Sequence, residues 1–172
     1  MAIIVYTKTR GACDKEILSF FRLLAQPNQR TWDYEQGQAF ASKSPRELTE
    51  FYRQKVQPRP NNHGFWAIED GKVVGMAGLN CFQEPFKAHC AELGFGVARK
   101  SQRRGIGMAL VRTCLEKARQ LSLRRVEANC FAENLAAIAL LKKAGFVEEG
   151  LQRGAIQKHG QLRDVRVFGI LL

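Results

Sequence analysis

The most informative segment of the chain reads Val97-Ala-Arg-Lys-Ser-Gln-Arg-Arg-Gly-Ile-Gly-Met108. An alternating apolar pattern ends near Val97, a basic turn follows, and a helical pattern begins around Gly105. The first turn of a helix exposes backbone N–H groups without a partner inside the helix, and the helix dipole is positive there, so this turn can bind an anion. Gly105 and Gly107 carry no side chain, which lets a ligand approach their backbone closely.

Positive charge is concentrated around this turn. Residues 99–125 contain one acid, Glu116, and nine basic residues: Arg99, Lys100, Arg103, Arg104, Arg112, Lys117, Arg119, Arg124 and Arg125. The whole chain has 27 Lys and Arg against 16 Asp and Glu, a formal net charge of +11. Such an excess favours an anionic partner (nucleic acid, a membrane surface or a phosphorylated ligand), and its position favours a pyrophosphate at the helix start.

Two common phosphate-binding loops do not fit the segment. The dinucleotide fingerprint G-x-G-x-x-G needs a third glycine where Leu110 stands. A P-loop needs Gly-Lys followed by Ser or Thr, and the sequence contains no such triplet. A G-x-G alone is also compatible with a basic helix start that is merely solvated, so the surrounding pattern has to decide.

Composition and cysteine usage limit the class of protein. The chain has 172 residues, 45% of them hydrophobic and 25% charged, as in a single globular domain. Its five cysteines are scattered and include no C-x-x-C pair, which favours small core thiols in a reducing compartment and no metal site. The apolar start is too short for a signal peptide, and no run approaches the roughly 20 apolar residues of a membrane helix. The sequence therefore predicts a cytoplasmic protein.

Periodicity predicts a mixed α/β fold with one sheet covered by helices. Asp70-Gly71 suits a tight β-hairpin turn between 65–69 and 72–79. The other predicted strands are 3–6, 91–97, 125–129, 146–151 and 165–171. The predicted helices are 14–25, one that begins at Ser44, 105–121 with an apolar stripe of Leu110, Cys114, Ala118 and Leu121, and 134–144.

Two motifs in order resemble one family. Gln102-Arg103-Arg104-Gly105-Ile106-Gly107 matches the Q/R-x-x-G-x-G/A signature of the GCN5-related N-acetyltransferases (GNAT). Downstream, the run from Asn134 to Phe146 resembles that family's N-x-x-A-x-x-L-Y-x-K-x-G-F pattern, and Gly150, Arg153, Gly160 and Asp164 resemble the C-terminal hairpin of its ribosomal-protein and polyamine branch. The resemblance covers about 65–172.

The resemblance implies a fold, a cosubstrate and a reaction. The fold would be a mostly antiparallel central sheet of six to seven strands flanked by helices, in a single domain 1–172. Residues 1–62 would form variable helices on the acceptor side, and 63–172 the acetyl-CoA-binding core. The activity would be transfer of acetyl from acetyl-CoA to a primary amine by direct attack on the thioester. The implied cofactor-binding residues are Phe95, Val97, Gln102, Arg103, Arg104, Gly105, Ile106, Gly107, Met108, Asn134 and Lys143.

The chemistry requires a neutral amine, and Glu92 is the candidate base. A free alkylamine has a pKa of about 10.4, so a base must take its proton. Glu92 lies on the strand that would hold the thioester and could act through water; an ordinary surface glutamate is the alternative interpretation. The tyrosine that often protonates the departing thiolate in the family is replaced by Leu141, for which water, Tyr34 or Tyr52 could substitute. A thiol pKa of about 8.5 allows the thiolate to leave unassisted, only more slowly.

Other readings stay open from the sequence. The charge also fits a basic module that binds RNA or ribosomes, although no aromatic RNA motif accompanies it, and Leu141 fits a CoA-binding sensor without turnover. The acceptor could be a small-molecule amine or a protein N-terminus or lysine, and the chain could form a homodimer. We interpret His63, His89 and His159 as surface or turn residues, Cys90 as a buried structural thiol, and 32–35 as a loop.

Overall fold

The computed structural model describes residues 4–7, 19–20, 47, 61–158 and 160–172, with the backbone alone for 4–7 and 158. Its strands are β1 (Ile4–Thr7), β2 (Asn62–Glu69), β3 (Lys72–Cys81), β4 (Cys90–Val97), β5 (Arg125–Phe131), β6 (Val147–Lys158) and β7 (Gln161–Leu171). Its longer helices are α1 (Ile106–Gln120) and α2 (Leu135–Lys143), and 3-10 turns cover Pro85–Lys87 and Arg99–Ser101. Neither α1 nor α2 has the length and apolar character that crossing a membrane requires.

The seven strands form one sheet in the order β1-β2-β3-β4-β5-β7-β6. The mixed, mostly antiparallel sheet predicted from the sequence is confirmed: among these strands only β4 and β5 run parallel. Asp70 and Gly71 both have positive φ, 48° and 74°, as the predicted tight turn between β2 and β3 requires. The parallel pair β4 and β5 needs a crossover, and α1 provides it.

The core lies between one face of the sheet and the two helices. The stripe of α1 predicted from the sequence is buried from Ile106 to Ala118, while Leu121 ends the helix and is exposed. Strand residues that face it include Ala91 and Leu93 of β4 and Ala128 of β5, all buried. Because side chains alternate along a strand, Glu92, Glu127 and Asn129 lie on the opposite face.

The two C-terminal strands are longer than predicted. The sequence predicts strands only at 146–151 and 165–171, whereas β6 and β7 pair from Val147–Gly169 to Lys158–Gln161. Pairing across Gly154, which has a φ of 57°, is possible because the register shifts between Gln152 and Ile156, and the Gly154 N–H donates to Asp164 Oδ1 at 2.8 Å. The sequence motif therefore predicts that the C-terminal hairpin exists, but the hairpin is longer than the predicted strands.

Several other predictions can be compared with the structure. Cys90, Cys114 and Cys130 are buried free thiols, as predicted. His89 lies in a turn, as predicted, and His63 is a half-buried residue of β2 whose pKa is lowered by burial and by Lys117. The helices predicted at 14–25 and from Ser44 lie outside the described residues except for the helical Ser19, Phe20 and Glu47, and so do Cys13, Trp32–Glu35, Tyr52 and His159.

Candidate active site

A cleft opens between β4 and β5 because their pairing stops early. The two strands pair in parallel from Cys90–Arg125 to Leu93–Ala128 and no further. On its other side, β4 continues to pair with β3 as far as Val97, opposite Gly75. The segment 94–97 therefore has a sheet neighbour on one side only, and its other edge lines the cleft.

The backbone of this edge presents donors and acceptors to the cleft. The Ala98 N–H donates to Val74 O on β3 at 2.9 Å, so the carbonyl of Val97 points the other way, into the cleft. In a strand, the N–H and C=O of one residue point to the same neighbouring strand, and those of every second residue point the same way. Phe95 and Val97 therefore both direct their N–H and C=O toward the cleft. The Gln102 side chain donates from Nε2 to Val97 O at 3.0 Å. This bond uses the carbonyl of Val97. The N–H and C=O of Phe95 and the N–H of Val97 still face the cleft along the edge of β4.

The first turn of α1 lies at the mouth of the cleft and has the geometry of an anion site. Gly105 is the N-cap residue with a φ of 80°, and Arg103 before it also has a positive φ of 60°. The Ala109 N–H is bonded to Gly105 O at 3.0 Å, so the N–H groups of 106–108 have no acceptor inside the helix. The first turn contains no acidic residue. Bare amides, the helix dipole and the adjacent basic turn together favour a phosphate.

Close packing of the two helices narrows the cleft mouth. A Cβ on Gly107 would lie 2.7 Å from Leu140 Cδ1 and 3.6 Å from Val97 Cγ2. Leu140 in the second half of α2 therefore packs against the first turn of α1, which also lies next to Val97 at the end of β4. Lys143, one turn after Leu140, is exposed in the last turn of α2.

A comparison with known proteins agrees with this geometry. The family model for the acetyltransferase (GNAT) family matches residues 25–146, which is more than half of the chain. The chain belongs to the GNAT acetyltransferase family. As a member it is an acyltransferase of the N-acetyltransferase type, and acetyl-CoA is the cosubstrate.

Named relatives act on different amines. The chain is 30% identical over 121 residues to the L-amino acid N-acetyltransferase AaaT of Escherichia coli, covering 70% of this chain and 75% of that protein. It is 32% identical over 146 residues to the N-alpha-acetyltransferase RimI of Mycobacterium tuberculosis, covering 81% and 85%. A phosphinothricin acetyltransferase of Sinorhizobium meliloti, solved with AcCoA, shares the fold with a TM-score of 0.78 and 20% identity over 100% of this chain and 89% of that one.

Two of the residues that the GNAT resemblance assigns to the cosubstrate, Arg104 and Asn134, have side chains that bind other parts of the protein. The Arg104 guanidinium forms a two-bond ion pair with Glu69 at the end of β2, at 2.8 and 2.6 Å, which lowers the pKa of Glu69. Its side chain thus connects the basic turn to the hairpin β2–β3. The Asn134 side chain caps α2, because its Oδ1 accepts the Ala137 N–H at 3.2 Å.

Leu141 occupies the position of the family's tyrosine and is fully buried in the core. An apolar side chain in this environment offers no proton to a thiolate. Tyr34 and Tyr52, the substitutes considered from the sequence, lie outside the described residues. Protonation of the departing thiolate by water, Tyr34 or Tyr52 stays a prediction from the sequence.

Glu92 lies at the base of the cleft on the face opposite α1 and α2. Its register partners are Asn80 on β3 and Glu127 on β5. Glu127 is ion-paired to Arg125 Nε at 3.0 Å, whereas in the described part of the chain Glu92 has no cationic partner and accepts only from Asn129 Nδ2, at 3.4 Å. A half-buried carboxylate without a cation can accept a proton or hold an ammonium group.

Asn129 is a residue that the sequence did not reveal. It is the first residue of β5 beyond the last pair with β4, and its Oδ1 is buried without a hydrogen-bond donor in the described structure. The only sequence signal was a polar residue in the apolar strand 125–131, which is also typical of an ordinary half-exposed strand.

Proposed function

We propose that the protein acetylates a primary amine that approaches the β4–β5 cleft from the face of Glu92 and attacks the thioester directly. The observation that carries this proposal is the end of strand pairing at Leu93–Ala128, with the open backbone edge of 95–97 beside it and the bare amides of α1 at its mouth. In this arrangement the amides of 103–108 bind the pyrophosphate, Phe95 and Val97 bind the pantetheine arm, and Lys143 neutralises phosphate charge. Asn134 and Gln102 position the surrounding backbone.

Glu92 acts as the base, through water. At pH 7 an alkylamine with a pKa of about 10.4 is neutral in only about one molecule in 2,500, so removal of its proton limits the attack. Glu92→Gln should lower kcat by about 10²–10⁴-fold at neutral pH. The deficit should shrink as the pH approaches the amine pKa, because the solvent then removes the proton.

The acceptor is a small-molecule amine or the N-terminus or a lysine of a protein, and residues 1–62 form the acceptor side of a single domain. AaaT and RimI, by their names, take an amino acid and a protein α-amine, so both substrate classes are represented among the relatives. The four free thiols of the described chain favour a reducing compartment such as the cytoplasm. The stoichiometry, monomer or homodimer, is to be measured by light scattering.

A thiol-release assay with acetyl-CoA tests the proposal over a panel of amino acids, polyamines and peptides. The expected result is release of CoA that depends on the amine, with acetylated product in the mass spectrum. The control is Glu127→Gln, which changes a carboxylate of the same row that is already paired with Arg125 and should retain most activity. Acetyl-CoA binding without turnover on any amine would instead favour a sensor.

Binding of RNA is the second candidate, favoured by the net charge of +11. It predicts an affinity that falls steeply with salt concentration and survives saturation with acetyl-CoA. Competition between RNA and acetyl-CoA would mean that RNA only occupies the phosphate site of the cleft.

A further inference from the structure

The Glu92 carboxylate and the Asn129 side-chain amide meet where β4 and β5 separate. Gly94 and Asn129 follow the last paired residues, Leu93 and Ala128, and are the first neighbours that the strands no longer join. Asn129 and Glu92 point to the same face of the sheet, and Asn129 Nδ2 lies 3.4 Å from Glu92 Oε1. The cleft base on this face therefore carries one carboxylate and one side-chain amide.

The orientation of the Asn129 amide follows from its neighbour. A carboxylate only accepts hydrogen bonds, so the NH₂ group of Asn129 must face Glu92 and its Oδ1 must face away. This Oδ1 is buried and receives no hydrogen bond from the described chain. Leaving a buried acceptor unpaired costs about 1–3 kcal/mol, so such an atom in a cleft calls for a donor from outside the chain.

The strand across the cleft from Asn129 is open on this face. Gly94, across the cleft from Asn129, is exposed, and a Cβ built on it would meet no atom within 4 Å. The terminal torsion of asparagine has a broad minimum, and the 3.4 Å bond from Nδ2 to Glu92 is long, so the buried Oδ1 can turn to meet a donor when the amine binds.

We propose that Asn129 is a specificity-determining residue that selects primary amines by accepting one N–H of the acceptor. A neutral primary amine has two N–H donors and one lone pair. Glu92, directly or through a water, takes one N–H and Asn129 Oδ1 takes the other, which leaves the lone pair directed at the cleft. Once the ammonium proton has passed from Glu92 to solvent water, nitrogen forms a bond to the acetyl carbon, the C–S bond breaks, sulfur leaves with the electron pair as thiolate, and the second proton on nitrogen passes to the ionised Glu92. This inference rests on the proposed function.

Selectivity follows from the number of N–H groups. A secondary amine can satisfy Glu92 or Asn129 but not both, so one acceptor stays unpaired in the complex. An unpaired acceptor at about 1–3 kcal/mol corresponds to a preference of about 5–150-fold in kcat/KM for the primary amine. Without the Asn129 oxygen this preference should fall to the small steric contribution of one methyl group.

The experiment compares matched amine pairs in the thiol-release assay with full-length protein. The probes are methylamine and dimethylamine, L-alanine and N-methyl-L-alanine, and glycylglycine and sarcosylglycine. The variants are Asn129→Leu, which has a similar shape without polar atoms, and Asn129→Ala in case leucine disturbs the fold. Asn80→Leu is the matched control, because Asn80 is an asparagine of the same face on the other side of Glu92.

The expected result is that the wild type and Asn80→Leu favour the primary amine of a pair, and that both Asn129 variants lose most of this preference while binding acetyl-CoA with unchanged Kd. The melting temperature of Asn129→Leu should not fall, since the variant removes a buried acceptor that has no donor. A preference that survives in both Asn129 variants, or is absent from an active wild type, overturns the inference and leaves the proposed function intact. A wild type that acetylates no amine overturns both.

Discussion

Replacing Gly107 by alanine tests the contact between α1 and α2 beside the β4–β5 cleft. The added Cβ would lie 2.7 Å from Leu140 Cδ1, whereas carbon atoms in contact are about 3.5–4.0 Å apart, so Leu140 has to move by about 1 Å. Overpacking of this kind costs about 1–3 kcal/mol. Alanine recovers about 1 kcal/mol because it favours the helix more than glycine does. The net loss in the free energy of unfolding should be about 0–2 kcal/mol.

The same substitution should change sign when Leu140 is shortened. In a Leu140→Ala background the clash is absent and only the helix preference remains, so Gly107→Ala should stabilise that variant by about 1 kcal/mol. Urea unfolding of the four proteins of this double-mutant cycle gives the coupling free energy, expected at about 1–3 kcal/mol. Stabilisation by Gly107→Ala in both backgrounds would refute the contact. If Gly107→Ala weakens acetyl-CoA binding equally in both backgrounds, the ligand itself requires the glycine.

Three further predictions concern contacts outside the cleft. Gly169→Ala should destabilise by only about 0–1 kcal/mol in urea unfolding, because its Cβ would lie 2.6 Å from Arg125 Nη2 and 2.7 Å from Glu149 Cδ, and these side-chain ends can move away at the cost of their surface ion pair. Gly150→Ala, with no atom within 4 Å, should not destabilise. Burial raises the pKa of Cys130 to about 11 and that of Cys114 further. Peptide mass mapping at pH 8 should therefore find both thiols resistant to iodoacetamide until denaturant is added. Rapid labelling of the native protein would contradict their burial. Arg104 lowers the pKa of Glu69 below 4.5, so the stabilisation from this ion pair is complete above that pH and is lost as the pH falls through the lowered pKa. The Tm difference between the wild type and Glu69→Gln should therefore vanish in acid. A Tm difference that stays constant with pH would point to another cause.

The central part of the fold was readable from the sequence because its signals are local. Asp70-Gly71 and the apolar spacing of α1 each determine their own element within a few residues, and the hairpin turn and the helix are both confirmed. The extension of β6 and β7 was not readable. It depends on Asp164 accepting the Gly154 N–H from ten residues away and on a register shift, neither of which leaves an apolar alternation.

The candidate site was predictable in its backbone and less so in its side chains. The glycines and the helix start locate the anion site, since the amides that line it belong to every residue type. The bidentate pair of Arg104 with Glu69 joins residues 35 apart in the chain, and the packing of Gly107 on Leu140 joins residues of two helices. Asn129 becomes meaningful only when the end of the β4–β5 pairing is known. Each of these depends on a long-range neighbour that no local pattern encodes.

The first strand has a consequence for engineering the protein. Thr7 of β1 lies opposite Phe65 of β2, so the backbone leaves the sheet and returns to it at adjacent positions. The segment 8–61 is therefore joined at its two ends to strands that pair with each other. Exchanging residues 8–61 between relatives is therefore expected to leave the pairing of β1 with β2 in place, because both paired strands lie outside the exchanged segment.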